Sequence, residues 1–131
     1  MMKRIALTIF MLIVSCVVMT AQGKHLLKFS ETAHDFGTVS QKAAPVVHEY
    51  EFINTSTEPV AVLSASAQCG CTRPEYPVKP LAPGERGVIK VTFEPLGQVG
   101  NANKDVVVRY RGAKASSSQR ITLRLTGVVA P

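Results

Sequence analysis

The chain carries 131 residues, 46% of them apolar and 18% charged, with three cysteines and a formal net charge of +6. That length suits one compact domain. The positive charge is modest and scattered, with no Lys or Arg interleaved with exposed Phe or Tyr, which argues against a nucleic-acid partner.

The N-terminus reads as a leader. Met1-Met2-Lys3-Arg4 is a short positive region, and residues 5–19 form an apolar run broken only by Thr8 and Ser15. The run falls short of the ~20 residues of a membrane-spanning helix, and small residues without a stop-transfer block follow it. A secretory signal peptide over residues 1–23 is therefore expected, cut after Ala21 or Gly23, with a mature domain over residues 24–131. That domain would be periplasmic or secreted and without a transmembrane span. Leu12-Ile13-Val14-Ser15-Cys16 also resembles the lipobox of bacterial lipoproteins, in which Cys16 would be acylated and anchor the protein. Val17-Val18-Met19 puts apolar residues where polar ones usually follow such an anchor, so a cysteine discarded with the leader is preferred.

Beyond the leader no segment has helical period, whereas short runs rich in Val, Ile, Thr, Phe and Tyr alternate at period two. Residues 25–29 and 34–39 make a first strand region, and residues 46–53 the next, with Val46, His48, Tyr50 and Phe52 on the face expected to be buried. Asn54-Thr55-Ser56-Thr57-Glu58-Pro59 is a dense turn signal. A small-residue strand over 60–67 leads into Cys69-Gly70-Cys71. Three prolines in residues 73–80 restrict that stretch to an edge or a crossing. Pro83-Gly84 fits the centre of a type II turn, Pro setting the first φ and Gly tolerating the positive second one. Residues 88–93 resume a strand with Ile89, Val91 and Phe93 inward; a loop is expected over 95–103, a strand over 105–110, a polar turn over 112–118 and a last strand over 119–129. About seven short strands separated by turns predict an all-β fold, an antiparallel β-sandwich. The absence of Trp and of widely spaced cysteines argues against the antibody variety.

Several motifs occur in order: His34-Asp35-Phe36-Gly37-Thr38-Val39, Phe52-x-Asn54-Thr55 with Glu58-Pro59, Cys69-Gly70-Cys71-Thr72, Pro83-Gly84-Glu85 with Gly87-x-Ile89, and Leu125-x-Gly127. The set resembles the domain-of-unknown-function family 1573, exported domains common in Bacteroidetes-type bacteria. The resemblance implies an immunoglobulin-like sandwich of about seven strands, akin to domains that bind other proteins, and supplies no catalytic residues. The family often has an aromatic between the long-loop glycine and the following lysine; Gly100-Asn101-Ala102-Asn103-Lys104 has none.

Four readings compete for Cys69 and Cys71. They could form a local disulfide, provided Gly70 permits a bend, since a strand holds residues i and i+2 near the upper end of the Cα spacing a disulfide accepts. They could bind copper or zinc as thiolates, which for zinc needs help from His25, His34 or His48. They could exchange disulfides with partner proteins, although no helix N-terminus is present to lower a thiol pKa. Or they pack at the edge of the core. His34-Asp35 could be imagined with a serine as a hydrolytic triad, but no G-x-S-x-G turn exists, and a local hydrogen bond for Asp35 with Phe36 packing inward is preferred. His48 is expected to be a satisfied core histidine, and Glu49 and Glu51 to lie on a solvated face.

The sequence thus predicts an exported, non-enzymatic module that binds a protein or cell-envelope component, with no catalytic residue, cofactor or resident metal assigned and a small-molecule substrate disfavoured. The alternative is a periplasmic thiol-redox or copper/zinc-binding protein using Cys69 and Cys71.

Overall fold

The computed structural model describes residues 25–131. The expected leader over 1–23, its cleavage after Ala21 or Gly23, and Cys16 lie outside the described residues. Eight strands follow in order: β1 (Leu27–Phe29), β2 (Ala33–Ser40), β3 (Val46–Asn54), β4 (Val60–Ala67), β5 (Thr72–Glu75), β6 (Arg86–Phe93), β7 (Gly100–Gly112) and β8 (Gln119–Ala130). They form two four-stranded sheets, β1-β3-β6-β5 and β2-β8-β7-β4. The fold is an all-β, immunoglobulin-like sandwich. No helix of the described residues is long and apolar enough to cross a membrane.

Period-two alternation decides which side chains enter the space between the sheets. On β3, Tyr50 and Phe52 are buried while Glu49 and Glu51 are exposed; on β6, Ile89, Val91 and Phe93 are buried. From the other sheet Val106, Val108 and Tyr110 of β7 and Leu123, Leu125 and Val129 of β8 meet them in one cluster. Tyr50 and Tyr110 are fully buried yet satisfied, because their hydroxyls reach the Arg124 carbonyl (2.7 Å) and the His25 ring (2.9 Å). Burial of an aromatic or aliphatic side chain of this size stabilises the domain by roughly 1.5–3 kcal/mol.

The ordered motifs prove to be the joints of this sandwich. Phe52 faces Gly87 across the β3–β6 ladder, and a Cβ on Gly87 would lie 2.5 Å from the Phe52 ring and 2.9 Å from Leu81. The Phe36 ring likewise covers Gly127 of β8 so closely that no Cβ fits there. Asp35 Oδ1 accepts the Gly37 N–H at 2.7 Å, as expected, and Gly37 takes φ 75° in the irregularity between Asp35 and Thr38. Asn54, fully buried, donates its side-chain amide to the carbonyls of Glu58 (2.9 Å) and Leu81 (3.0 Å) and accepts from the Ser56 N–H (3.0 Å) and hydroxyl (2.6 Å). Its backbone also bonds Gly84 and Glu85, so the end of β3 is tied to the Pro83-Gly84 turn, which has the expected Ala82–Glu85 hydrogen bond and φ 80° at Gly84.

Two expectations change. The loop expected over 95–103 ends earlier, because Gly100 to Asn103 already pair with Val129 to Thr126 of β8. A continuous ladder there outweighs the poor strand propensity of Gly and Asn. The two segments expected to make one strand region belong to different sheets, and β2 pairs parallel with β8.

Candidate functional site

Among the described residues, the cysteine loop, the outer edge of β4 and a histidine cluster at the opposite side of the sandwich carry chemistry or an open strand edge.

The cysteine loop is the crossover from β4 in one sheet to β5 in the other. Thr72 N–H donates to the Cys69 carbonyl (3.2 Å), and Glu94 N–H donates to the Cys71 carbonyl (2.8 Å), which pins the loop onto the end of β6. This turn brings the Cα atoms of Cys69 and Cys71 to 5.2 Å, and their sulfurs are joined in a disulfide. Both residues are half-buried. Gly70 has no positive φ, and a Cβ there would meet nothing within 4 Å. The bend is therefore made by the turn and does not demand a glycine, contrary to expectation. The loop walls a cleft of about 120 Å³, shared with Gln68, Thr72, Asn103 and Lys104.

The sulfurs do not meet the histidines proposed to assist them. β2 and β4 are the two opposite edges of one sheet, so His34 and the cysteine loop are separated by its width. His25 instead bonds Tyr110. His34 stacks face to face on His48, ring centroids 3.6 Å apart and planes within 4°. His48 projects inward from β3, lies perpendicular to the Tyr50 ring with centroids 4.7 Å apart, and pairs through Nε2 with the Glu31 carboxylate. The hydrolytic arrangement imagined for His34-Asp35 dissolves, since Asp35 turns to Gly37 and His34 to His48. Burial, helped by the negative Glu31 nearby, pushes the Tyr50 hydroxyl up to about 12. Burial also raises Tyr110.

The third feature is an edge. Of the four outer strands, β1 has three residues, β5 has four with Pro74 at its centre, and β2 carries the charge of Asp35 and the left-handed Gly37 within its bulge. β4 differs: Val60-Ala-Val-Leu-Ser-Ala-Ser-Ala67 holds no proline, glycine or charge over eight residues. Its inner side pairs with β7, with one irregularity between Val62 and Ser64. On its outer side, among the described residues, only Val60 is engaged, in a two-bond bridge with Leu81. Leu63 is 45% exposed, and a depression of about 160 Å³ lined by Pro59, Ala61, Leu63, Pro80 and Arg111 lies beside it.

These features sit in a chain whose residues 27–129 match the family described as protein of unknown function, DUF1573. The chain belongs to that family. No curated protein matches the DUF1573 chain. Among solved structures it is similar to the ASH/PapD-like domain 7 of human CEP192, at TM-score 0.66 and 15% identity over 88% of this chain and 94% of that one. It is also similar to the VesB protease of Vibrio cholerae, at TM-score 0.63 and 14% identity over 79% of this chain. The YadV chaperone follows at TM-score 0.60 and 13% identity over 82% of this chain. The chain spans 32% of VesB and 53% of YadV. Identities this low speak for the fold alone.

The meeting of Glu31 with His34 and His48 was missing from the sequence reading. No spacing signal announces it, because the three residues come from the β1–β2 connection and from strands of two different sheets.

Proposed function

We propose that this DUF1573 protein is an exported, non-enzymatic module that binds an extended polypeptide along the outer edge of β4. The observation that carries the reading is the composition of that edge. Exposed edge strands are templates for further strand pairing, and proteins ordinarily blunt them with charge, proline, bulges or brevity. Three edges here are blunted in those ways, whereas β4 beyond its bulge is left uncharged. A polypeptide added to it would gain main-chain hydrogen bonds, with Leu63 and the depression beside it reading alternate side chains. The likeness to YadV, a chaperone, accords with a polypeptide partner.

The test uses the protein exported by its own leader, with a photo-crosslinking residue at Leu63 or Ser66, and at Glu49 on the other sheet as control. Crosslinks to one polypeptide from the β4 positions, abolished in the Leu63→Lys/Ser66→Lys variant, are expected. Equal crosslinking from Glu49, or a partner held equally well by the lysine variant, would refute it.

A second reading has its own observation, the half-exposed disulfide beside Lys104. A partner thiolate would attack one sulfur of the Cys69–Cys71 bond, forming a mixed disulfide and releasing the other cysteine as a thiolate. Loss of function in Cys69→Ser and Cys71→Ser variants that still fold would favour it over the edge-strand reading, which requires neither sulfur.

A further inference from the structure

The histidine cluster has no part in either reading. We propose that Glu31, His34 and His48 form a binding site for a borderline divalent transition ion of the zinc type, which clamps the β1–β2 connection and strand β2 to β3.

The donor set is the first ground. Two imidazoles and a carboxylate suit zinc and its neighbours, and three protein ligands with one position left to solvent is a recurrent zinc arrangement. Convergence is the second. One donor atom from each residue lies within 4.8 Å of the other two, although the residues come from a loop and from two sheets. The third is support. His48 packs perpendicular to the buried Tyr50 ring, whose hydroxyl is fixed to the Arg124 carbonyl, so one ligand stands on the core while Glu31 remains 45% exposed toward solvent. Groups packed behind a ligand fix the orientation of its ring, as outer-shell contacts do at metal sites.

Metal–nitrogen and metal–oxygen bonds of about 2.0–2.2 Å hold tetrahedral donors roughly 3.3–3.6 Å apart, so from donors that all lie within 4.8 Å the wider separations close while the Glu31–His48 contact opens. Lone pairs confined to two parallel ring planes cannot meet at one ion, so binding turns the His34 ring about its Cβ–Cγ bond and opens the stack. Glu31 exchanges its contact with His48 for the ion. These are rearrangements of side chains at the open seam of the sandwich, not of its core.

The probe is Zn²⁺, titrated into untagged, exported protein with the Cys69–Cys71 disulfide intact and followed by calorimetry and by the ring-nitrogen NMR shifts of all three histidines. One ion per chain is expected, with shifts at His34 and His48 and none at His25. Glu31→Gln, His34→Ala and His48→Ala should each weaken binding at least tenfold, and a Cys69→Ser/Cys71→Ser variant should bind as the parent does. Should His48→Ala fail to fold, protection of His34 and His48 in the unaltered protein from diethyl pyrocarbonate by Zn²⁺ serves in its place. Absence of stoichiometric uptake, uptake unaffected by loss of His34, or uptake lost only with the cysteines would overturn the proposal.

Discussion

Replacing Asn54 by Ala removes the side chain that gathers the end of β3, the 54–59 turn and the Pro83-Gly84 turn. Four hydrogen bonds disappear, each worth about 0.5–1.5 kcal/mol net, for a span of about 2–6 kcal/mol. The Leu81 carbonyl keeps the Val60 N–H, and the one Ser56 hydroxyl proton, shared in the parent between Asn54 Oδ1 and the Glu58 carbonyl, passes wholly to Glu58, so neither acceptor is orphaned and the lower half applies, about 2–4 kcal/mol. Small domains have only about 5–15 kcal/mol in total, and 1 kcal/mol moves Tm by about 4–8 °C, so a fall beyond ~10 °C is expected. Asn54→Asp supplies the discriminating control. It keeps the two accepted bonds but turns a carboxylate oxygen toward two carbonyls, which raises the pKa of the new group in the folded state. Stability relative to the parent is then retained below the unfolded carboxylate pKa of about 3.9 and falls as pH rises above it. Urea unfolding of the three proteins at pH 3.5 and 7 checks both points. A loss under 1 kcal/mol in Asn54→Ala, or a pH-independent deficit in Asn54→Asp, would refute the assignment of Asn54 as the joint.

Gly127→Ala should cost about 1–3 kcal/mol by driving a Cβ into Phe36, and Phe36→Ala should relieve part of it; an additive double-mutant cycle would contradict the contact. Tyr50, held at about 12 against an unfolded value near 10, gives stability that is complete below pH 10 and lost as pH rises toward 12. Urea midpoints should therefore drop between pH 9 and 11.5, with about 2 kcal/mol of the drop due to Tyr50. The drop should shrink but not vanish in Tyr50→Phe, since burial raises Tyr110 as well; an unchanged drop would remove Tyr50 as its cause. Reducing the disulfide opens so small a ring that chain entropy sets the loss at about 1.6 kcal/mol, so thermal melts with and without dithiothreitol should differ by about 10 °C or less. Complete unfolding on reduction would show the bond to be a structural staple.

Strands with a clear inward face, such as β3 and β6, were legible because burial on one side imposes period two on the residues themselves. The Pro83-Gly84 turn was legible because its backbone angles admit few residue types. Nothing local marks which sheet a strand joins, so the separation of β1 from β2 and the parallel pairing of β2 with β8 could not be read. The start of β7 was hidden for the opposite reason, since Gly100 and Asn101 signal a loop until the ladder with β8 holds them. At the candidate sites, the adjacency of Cys69 and Cys71 made a local pairing visible as one choice among four. The Glu31–His34–His48 cluster exists only after both sheets have formed.

The parallel pairing of β2 with β8 also governs when the molecule can fold. His34 lies opposite Leu125, and Ser40 opposite Ala130, so the second strand of the chain waits for the last one to be available. Pairing over such separations must close a long loop before any contact rewards it, which makes folding slow and leaves the early strands unpaired meanwhile. A chain truncated before residue 119 would lack the sole partner of β2 and one of the two neighbours of β7. A sheet edge written early in the chain order is thus among the last to be completed, because β2 has nothing to pair with until residues 119–130 are in place.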